Sequence, residues 1–208
     1  MIELHTAGTA NGQRSAIAVN ECGVACRIHV LDLTKGDQHT PEFRKLNPRG
    51  RIPVLIDPQG PGGRELVLTQ SWAILLHLAE RAGRFIPTDP LARVRMYEWL
   101  MEGASDIAPT NSNIYFLGNR MPEKVPGSTI AFYENRLQDM FRTAAERLED
   151  GPYLAGDEIT VADLGLYPVY MARKALIDAG AGVTGGLQTW AERIGARPGV
   201  QKGMRLQC

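Results

Sequence analysis

The chain has 208 residues, with 23 Lys plus Arg set against 23 Asp plus Glu and a pI near 6.9. It therefore carries neither an electrostatic footprint for nucleic acid nor a polybasic patch for a membrane. A hydrophobic fraction of 44% and a charged fraction of 22% exclude disorder, and no apolar run approaches the roughly 18 to 20 residues of a membrane helix.

Residues 1 to about 82 alternate strand and helix signals. Ile2 to Thr6 reads as a short strand, and Thr9 to Gly12 as a turn with polar caps. Ser15 to Val24 predicts a short helix ending at Gly23, and Arg27 to Leu33 an alternating strand. After a polar stretch, Pro53 to Ile56 and Glu65 to Leu68 are two β-rich runs, split by the Gly/Pro cluster Pro58 to Gly63. Ser71 opens a helix with Ile74, Leu75, Leu78 and Ala79 at helical spacing, stopped by Gly83. The expected order is β-α-β-α-β-β-α. The helical crossover makes the first pair of strands parallel, and the short loop makes the last pair antiparallel.

From Asp89 onward the signals are helical: Leu91 to about Leu117, Thr129 to Leu148, Thr160 to about Ala179 and Leu187 to Ile194. Pro87 and Pro90 punctuate the junction. The reading is thus a small α/β domain at 1–83, a linker at 84–90 and an all-α domain at 91–208. Thr160-Val161-Ala162-Asp163 fits a capping box, and Pro168 inside that helix should kink it.

Cys22, Cys26 and Cys208 cannot build a disulfide framework. With Met1-Ile2-Glu3-Leu4-His5 unlike a secretory signal, they point to a reduced, cytoplasmic compartment. The C-x3-C spacing is not that of a redox pair, nothing in the spacings completes a zinc site, and no metal is expected. Cys22 and Cys26 read as small buried hydrophobes.

Three segments, in order, carry a resemblance: Asn47-Pro48-Arg49-Gly50-Arg51-Ile52-Pro53-Val54-Leu55; Gln70-Ser71 with the helix after it; and Tyr153-Leu154-Ala155-Gly156-Asp157-Glu158-Ile159-Thr160-Val161-Ala162-Asp163. Together they resemble the glutathione transferases. The resemblance implies a thioredoxin-like N-terminal domain, an all-helical C-terminal domain and a homodimer. The catalytic tyrosine of many members would lie near His5-Thr6-Ala7, and the cysteine of others near Ala10. Instead, Thr9-Ala10-Asn11-Gly12-Gln13 resembles the Thr-Pro-Asn-Gly loop of the bacterial nu class, the glutathione-dependent disulfide-bond oxidoreductases, with Ala10 in place of the proline. Lys35-Gly36-Asp37-Gln38 is similar to that group as well.

On this reading Thr9 and Asn11 either cap a helix or donate hydrogen bonds to the glutathione sulfur, and the resemblance favours the second. Ile52-Pro53 resembles a cis-proline turn whose Ile52 backbone pairs with the cysteinyl unit. Ser71, with help from Gln70, takes the γ-glutamyl carboxylate at a helix N-terminus. Gln38 and Arg51 reach the glycine end, although Arg51 reads equally as a solvated loop charge. Phe132 stands where the class pattern has an arginine, with Arg136 one turn on, which bears on whether one or two glutathione units bind. Tyr115, Phe116, Arg136, Tyr167 and Tyr170 are candidates for a co-substrate site or, at their spacing, for core. Three functions stay open: disulfide reduction by bound glutathione, conjugation of glutathione to an electrophile, and non-catalytic ligand binding by a dimer.

Overall fold

A computed structural model describes residues 1–180 and 185–206; Cys208 lies outside them. The chain forms two compact units, Met1–Ile86 with Gly195–Cys208, and Pro87–Ile194.

The first unit is built on a four-stranded sheet in the order β2-β1-β3-β4. β1 (Ile2–Thr6) pairs in parallel with β2 (Cys26–Val30), and antiparallel with β3 (Val54–Asp57), which pairs antiparallel with β4 (Leu66–Thr69). Helix α1 (Ala10–Glu21) crosses between the parallel strands, and α3 (Ser71–Ala82) follows β4. These two helices pack on each other and bury Ile17, Ala18, Ile74, Leu75 and Leu78, while Leu4 and Leu55 are buried in the sheet. Leu31, Phe43 and Val54 form a separate cluster with Leu46 and Ile52 packed against it; Phe43 and Leu46 come from the short α2 (Pro41–Leu46).

Two boundaries differ from the sequence reading for local reasons. α1 begins at Ala10 rather than Ser15, because Thr9 caps it. β2 ends at Val30 rather than Leu33, because Asp32 turns the chain: its Oδ1 accepts from the Thr34 N–H, the Thr34 hydroxyl and the Lys35 N–H.

The all-α region does not run unbroken to the C-terminus. A final helix, α10 (Pro198–Met204), belongs to the first unit and packs on α1. With Gly199 and Gly203 among seven residues, its helical signal is weak. Those glycines are what the packing requires: a Cβ at Gly203 would lie 2.5 Å from the Ile17 backbone nitrogen, and one at Gly199 would lie 2.6 Å from the Glu21 carboxylate. Buried Glu21 in turn accepts from the Val200 N–H at 3.1 Å and from Arg197 at 2.6 Å.

In the second unit, α4 (Pro90–Met101) runs through a π-helical turn (Glu102–Ile107) into α5 (Ala108–Asn119). The wide turn lies just ahead of Pro109, which has no N–H to give to the helix ladder. α6 (Gly127–Arg147) is followed by α7 (Val161–Ala172), α8 (Lys174–Asp178) and α9 (Gly185–Gly195). α7 contains Pro168 and ends at Arg173, at φ −127° and ψ 18°, short of the expected Ala179. The expected capping box is present. The buried Asp163 carboxylate also accepts from the Leu154 N–H at 3.0 Å and the Trp190 indole N–H at 2.9 Å. Burial raises its pKa, against the hydrogen bonds that lower it.

Candidate functional site

The sheet register gathers the N-terminal motifs at one end of the first unit. His5 pairs with Val54, and Val54 with Thr69. The end of β1, the start of β3 and the end of β4 therefore coincide. One step beyond them stand the Thr9 loop, Ile52-Pro53 and Gln70-Ser71. The Ile52–Pro53 peptide is cis.

Thr9 caps α1, and its hydroxyl oxygen accepts from the Gly12 N–H at 3.2 Å. That bond uses a lone pair and leaves the hydroxyl proton to donate. Gly12 is required by a close approach, since a Cβ there would lie 2.0 Å from the Ala7 carbonyl oxygen. Asn11 is exposed at the start of α1.

Arg14 fixes the orientation of Asn11. Its guanidinium, on a fully buried side chain, donates to Asn11 Oδ1 at 2.7 Å and to Ser71 Oγ at 2.7 Å. It also stacks on the Trp72 ring at 4.2 Å. Burial lowers its pKa to about 9, which leaves it charged at neutral pH. A guanidinium only donates, so Asn11 must turn its carbonyl oxygen inward, and its amide N–H groups are left to face outward. The first turns of α1 and α3 are thereby tied together, with their unpaired N–H groups at the same end of the unit.

Gln70, which precedes Ser71, is exposed and holds φ 72°. This left-handed backbone disfavours a side chain and is kept only where the surroundings impose it. Gln38 sits in a 3-10 turn (Asp37–His39), and its buried Oε1 has no hydrogen-bond partner. Gly50, at φ +59°, abuts that turn: a Cβ would lie 2.7 Å from His39 Nδ1 and 3.0 Å from the Gln38 carbonyl oxygen. This brings Gln38 beside the loop carrying Arg51 and Ile52. Arg51 itself is exposed, while Asn47 braces the loop, its amide donating to the Arg51 carbonyl at 2.6 Å and its Oδ1 accepting from the Arg49 N–H at 3.1 Å.

Arg14, Trp72 and Asn47 were not singled out from the sequence. The available signal for Arg14 was its place three residues after Asn11, on the same helical face. Its partner Ser71 is 57 residues away, and no local pattern announces that contact.

The co-substrate candidates do not form one group. Tyr170 is fully buried, its hydroxyl donating to Asp178 at 2.8 Å and its ring packed near Phe141 and Trp190. Tyr167 is 6% exposed, edge-on to Trp190. Both are core of the helical unit rather than lining, because their helix is buried along its length from Val161 to Tyr170. Tyr115 and Phe116 are exposed, with ring centroids 5.6 Å apart. Arg136 is exposed and paired with Asp106 at 3.3 Å, and Phe132 is 61% exposed.

The sequence matches the glutathione S-transferase N-terminal domain over residues 10–81 and the C-terminal domain over residues 110–202. It is 31% identical to the disulfide-bond oxidoreductase YfcG of Escherichia coli K12 over 200 residues, covering 95% of this chain and 92% of that one. The chain belongs to the glutathione S-transferase family of enzymes. Among solved members, a glutathione transferase family protein from Pseudomonas fluorescens holds two glutathiones. It superposes with a TM-score of 0.87 at 27% identity, covering 99% of this chain and 92% of that one. A glutathione transferase from Pseudomonas putida, with one glutathione disulfide bound per subunit, gives 0.87 at 28% identity, with 99% and 91% covered. The transferase fold here has its thioredoxin-like half in the first unit and its helical half in the second. No described helix is long and apolar enough to cross a membrane.

Proposed function

We propose that this transferase is a glutathione-dependent disulfide oxidoreductase in which the bound glutathione sulfur, not a protein cysteine, is the nucleophile. The observation that carries the reading is the Arg14 bridge. By occupying Asn11 Oδ1 and Ser71 Oγ it presents the Asn11 amide outward at a helix N-terminus, next to the free Thr9 hydroxyl proton.

A free thiol with pKa near 8.5 is only a few per cent thiolate at pH 7. The Asn11 amide, the Thr9 hydroxyl and the α1 N-terminus all stabilise negative charge on sulfur and raise that fraction. Ser71 and the first turn of α3 take the γ-glutamyl carboxylate, assisted by Gln70. The Ile52 backbone pairs with the cysteinyl unit, and Gln38 and Arg51 meet the glycine end. The thiolate attacks one sulfur of a disulfide, forming a mixed disulfide and expelling a thiolate that takes up a proton. A second glutathione thiolate attacks the mixed disulfide, releasing glutathione disulfide and the other thiol.

The protein thiols suit a bystander role. Burial pushes Cys22 and Cys26 up to about 11, so both are protonated at neutral pH. We further propose that the enzyme is a homodimer, supported by the exposed apolar stripe Leu91, Val94, Tyr97 and Met101 on α4. Sedimentation at micromolar concentration tests this, and a monomer would refute it.

The test of function is turnover of a model disulfide and of a model aryl halide, side by side. Disulfide reduction dominating, and falling with Asn11→Ala, supports the proposal. Dominant conjugation assigns the same thiolate to transferase chemistry instead. No turnover of either leaves a ligand-binding role.

A further inference from the structure

The first unit also brings together three side chains of metal-ligating type, two from β1 and one from β2. Glu3 and His5 lie two apart on β1 and so project from one face of the sheet. The parallel register sets His29, on the edge strand β2, directly opposite His5. His29 Nε2 stands 3.0 Å, and His5 Nε2 4.0 Å, from the same oxygen, Glu3 Oε2. The two imidazoles stack with centroids 4.5 Å apart and planes 10° from parallel.

We propose that Glu3, His5 and His29 form a binding site for one Zn²⁺ ion, closed on the protein side by two imidazole nitrogens and one carboxylate oxygen and open to water at a fourth position. The three ligand atoms lie within 4.8 Å of one another. A tetrahedral zinc with bonds of about 2.0–2.2 Å holds its ligands about 3.3 Å apart. Closing the difference takes side-chain rotation, and with relative exposures of 19% for His5, 36% for Glu3 and 37% for His29 there is room for it. The single carboxylate supplies a negative charge to the divalent ion. Nitrogen donors in the majority select zinc over magnesium or calcium, which take oxygen ligands. An ion bound here joins the edge strand β2 to β1 through side chains, and because it binds the folded chain it raises apparent stability.

The test uses the full chain, without a histidine tag, stripped with a chelator and free of glutathione, which itself binds zinc. Calorimetric titration with zinc chloride should show one ion per chain, at least tenfold weaker in His29→Ala and in Glu3→Gln. Retained glutathione binding shows that each variant is folded. In the unmodified protein, zinc should move the imidazole proton resonances of His5 and His29 and leave those of His39 and His77 in place. No saturable uptake, affinity unchanged by either substitution, or resonances that move only elsewhere would overturn the site.

Discussion

Among the described residues the helical unit buries one carboxylate, Asp163, and the thioredoxin-like unit buries Arg14 along with Glu21 and Asp57; Asp163 and Arg14 are used in opposite ways. In the helical unit the Asp163 carboxylate is consumed by the fold: the Leu154 N–H, the Thr160 N–H and hydroxyl, and the Trp190 indole all donate to it. In the thioredoxin-like unit the Arg14 guanidinium donates to Asn11 and Ser71, two residues at helix starts that the proposed function sets against glutathione. A buried charge whose partners end in the core stabilises; one whose partners continue to the surface orients a site. Substitutions at the two positions should therefore fail differently.

The largest effect is expected at Asp163. Asp163→Ala removes the acceptor for four buried donors, and with each orphaned donor costing about 1–3 kcal/mol, chemical denaturation should show a loss of about 3 kcal/mol or more. The glutathione thiol pKa in whatever remains folded should be unchanged. A loss below about 1 kcal/mol would mean that the donors find other partners.

Next comes Arg14. Arg14→Met keeps much of the side-chain volume over Trp72 but releases both Asn11 and Ser71. Disulfide turnover should fall about 10²-fold or more, with a raised KM and a raised thiol pKa for bound glutathione. Arg14→Lys, a point charge without the planar fork, should recover only part of this. If Arg14→Met lowers the melting temperature but leaves thiol pKa and rate intact, the bridge is structural alone.

Asn11→Ala removes one donor, together with the Oδ1 that accepts from Arg14 and Ser71, and keeps the Arg14–Ser71 hydrogen bond. A roughly 10- to 100-fold loss of rate is expected, less than at an oxyanion because thiolate sulfur is a more diffuse acceptor. Thr9→Ala should do similar damage, with an added cost for the lost cap of about 1 kcal/mol in stability. On the proposed function both serve one sulfur, so the double variant should lose less than the product.

The smallest effect is expected at the cysteines. Replacing Cys22, Cys26 and Cys208 together should leave turnover nearly intact once any stability loss at buried Cys22 is corrected. With Cys22 and Cys26 pushed up to about 11, their modification by a thiol reagent should be slow at pH 7.5 and accelerate as pH rises toward that value. A glutathione adduct on either one during turnover would move the chemistry onto the protein.

What the sequence disclosed divides along the same line as the two charges. The Asp163 cap was legible because Thr160 lies three residues away, while the donor from Trp190, 27 residues on, was not. The strands and α3 were legible through alternation, helical spacing and the punctuating Gly83. α10 was not, because its glycines answer to Ile17 and Glu21 in α1 rather than to helix propensity. Thr9, Asn11 and Ser71 stand out as polar residues at helix starts. The residue that joins them was hidden because an arginine inside an amphipathic helix reads as solvated until its long-range partners are known. For Tyr167 and Tyr170 the sequence left core and co-substrate site open, and their burial favours core: aromatic residues at helical spacing serve packing unless a cavity reaches them.

The most direct test of the account is the ionisation of glutathione in the site, followed as thiolate absorbance against pH in the wild-type protein and in Asn11→Ala. The account requires the bound thiol to titrate clearly below the value of free glutathione in the wild type, and to move back toward it in the variant, while glutathione affinity changes less than rate. An unshifted thiol in the wild type, or the same lowered value in both proteins, would contradict it and leave Asn11 as no more than part of a helix start.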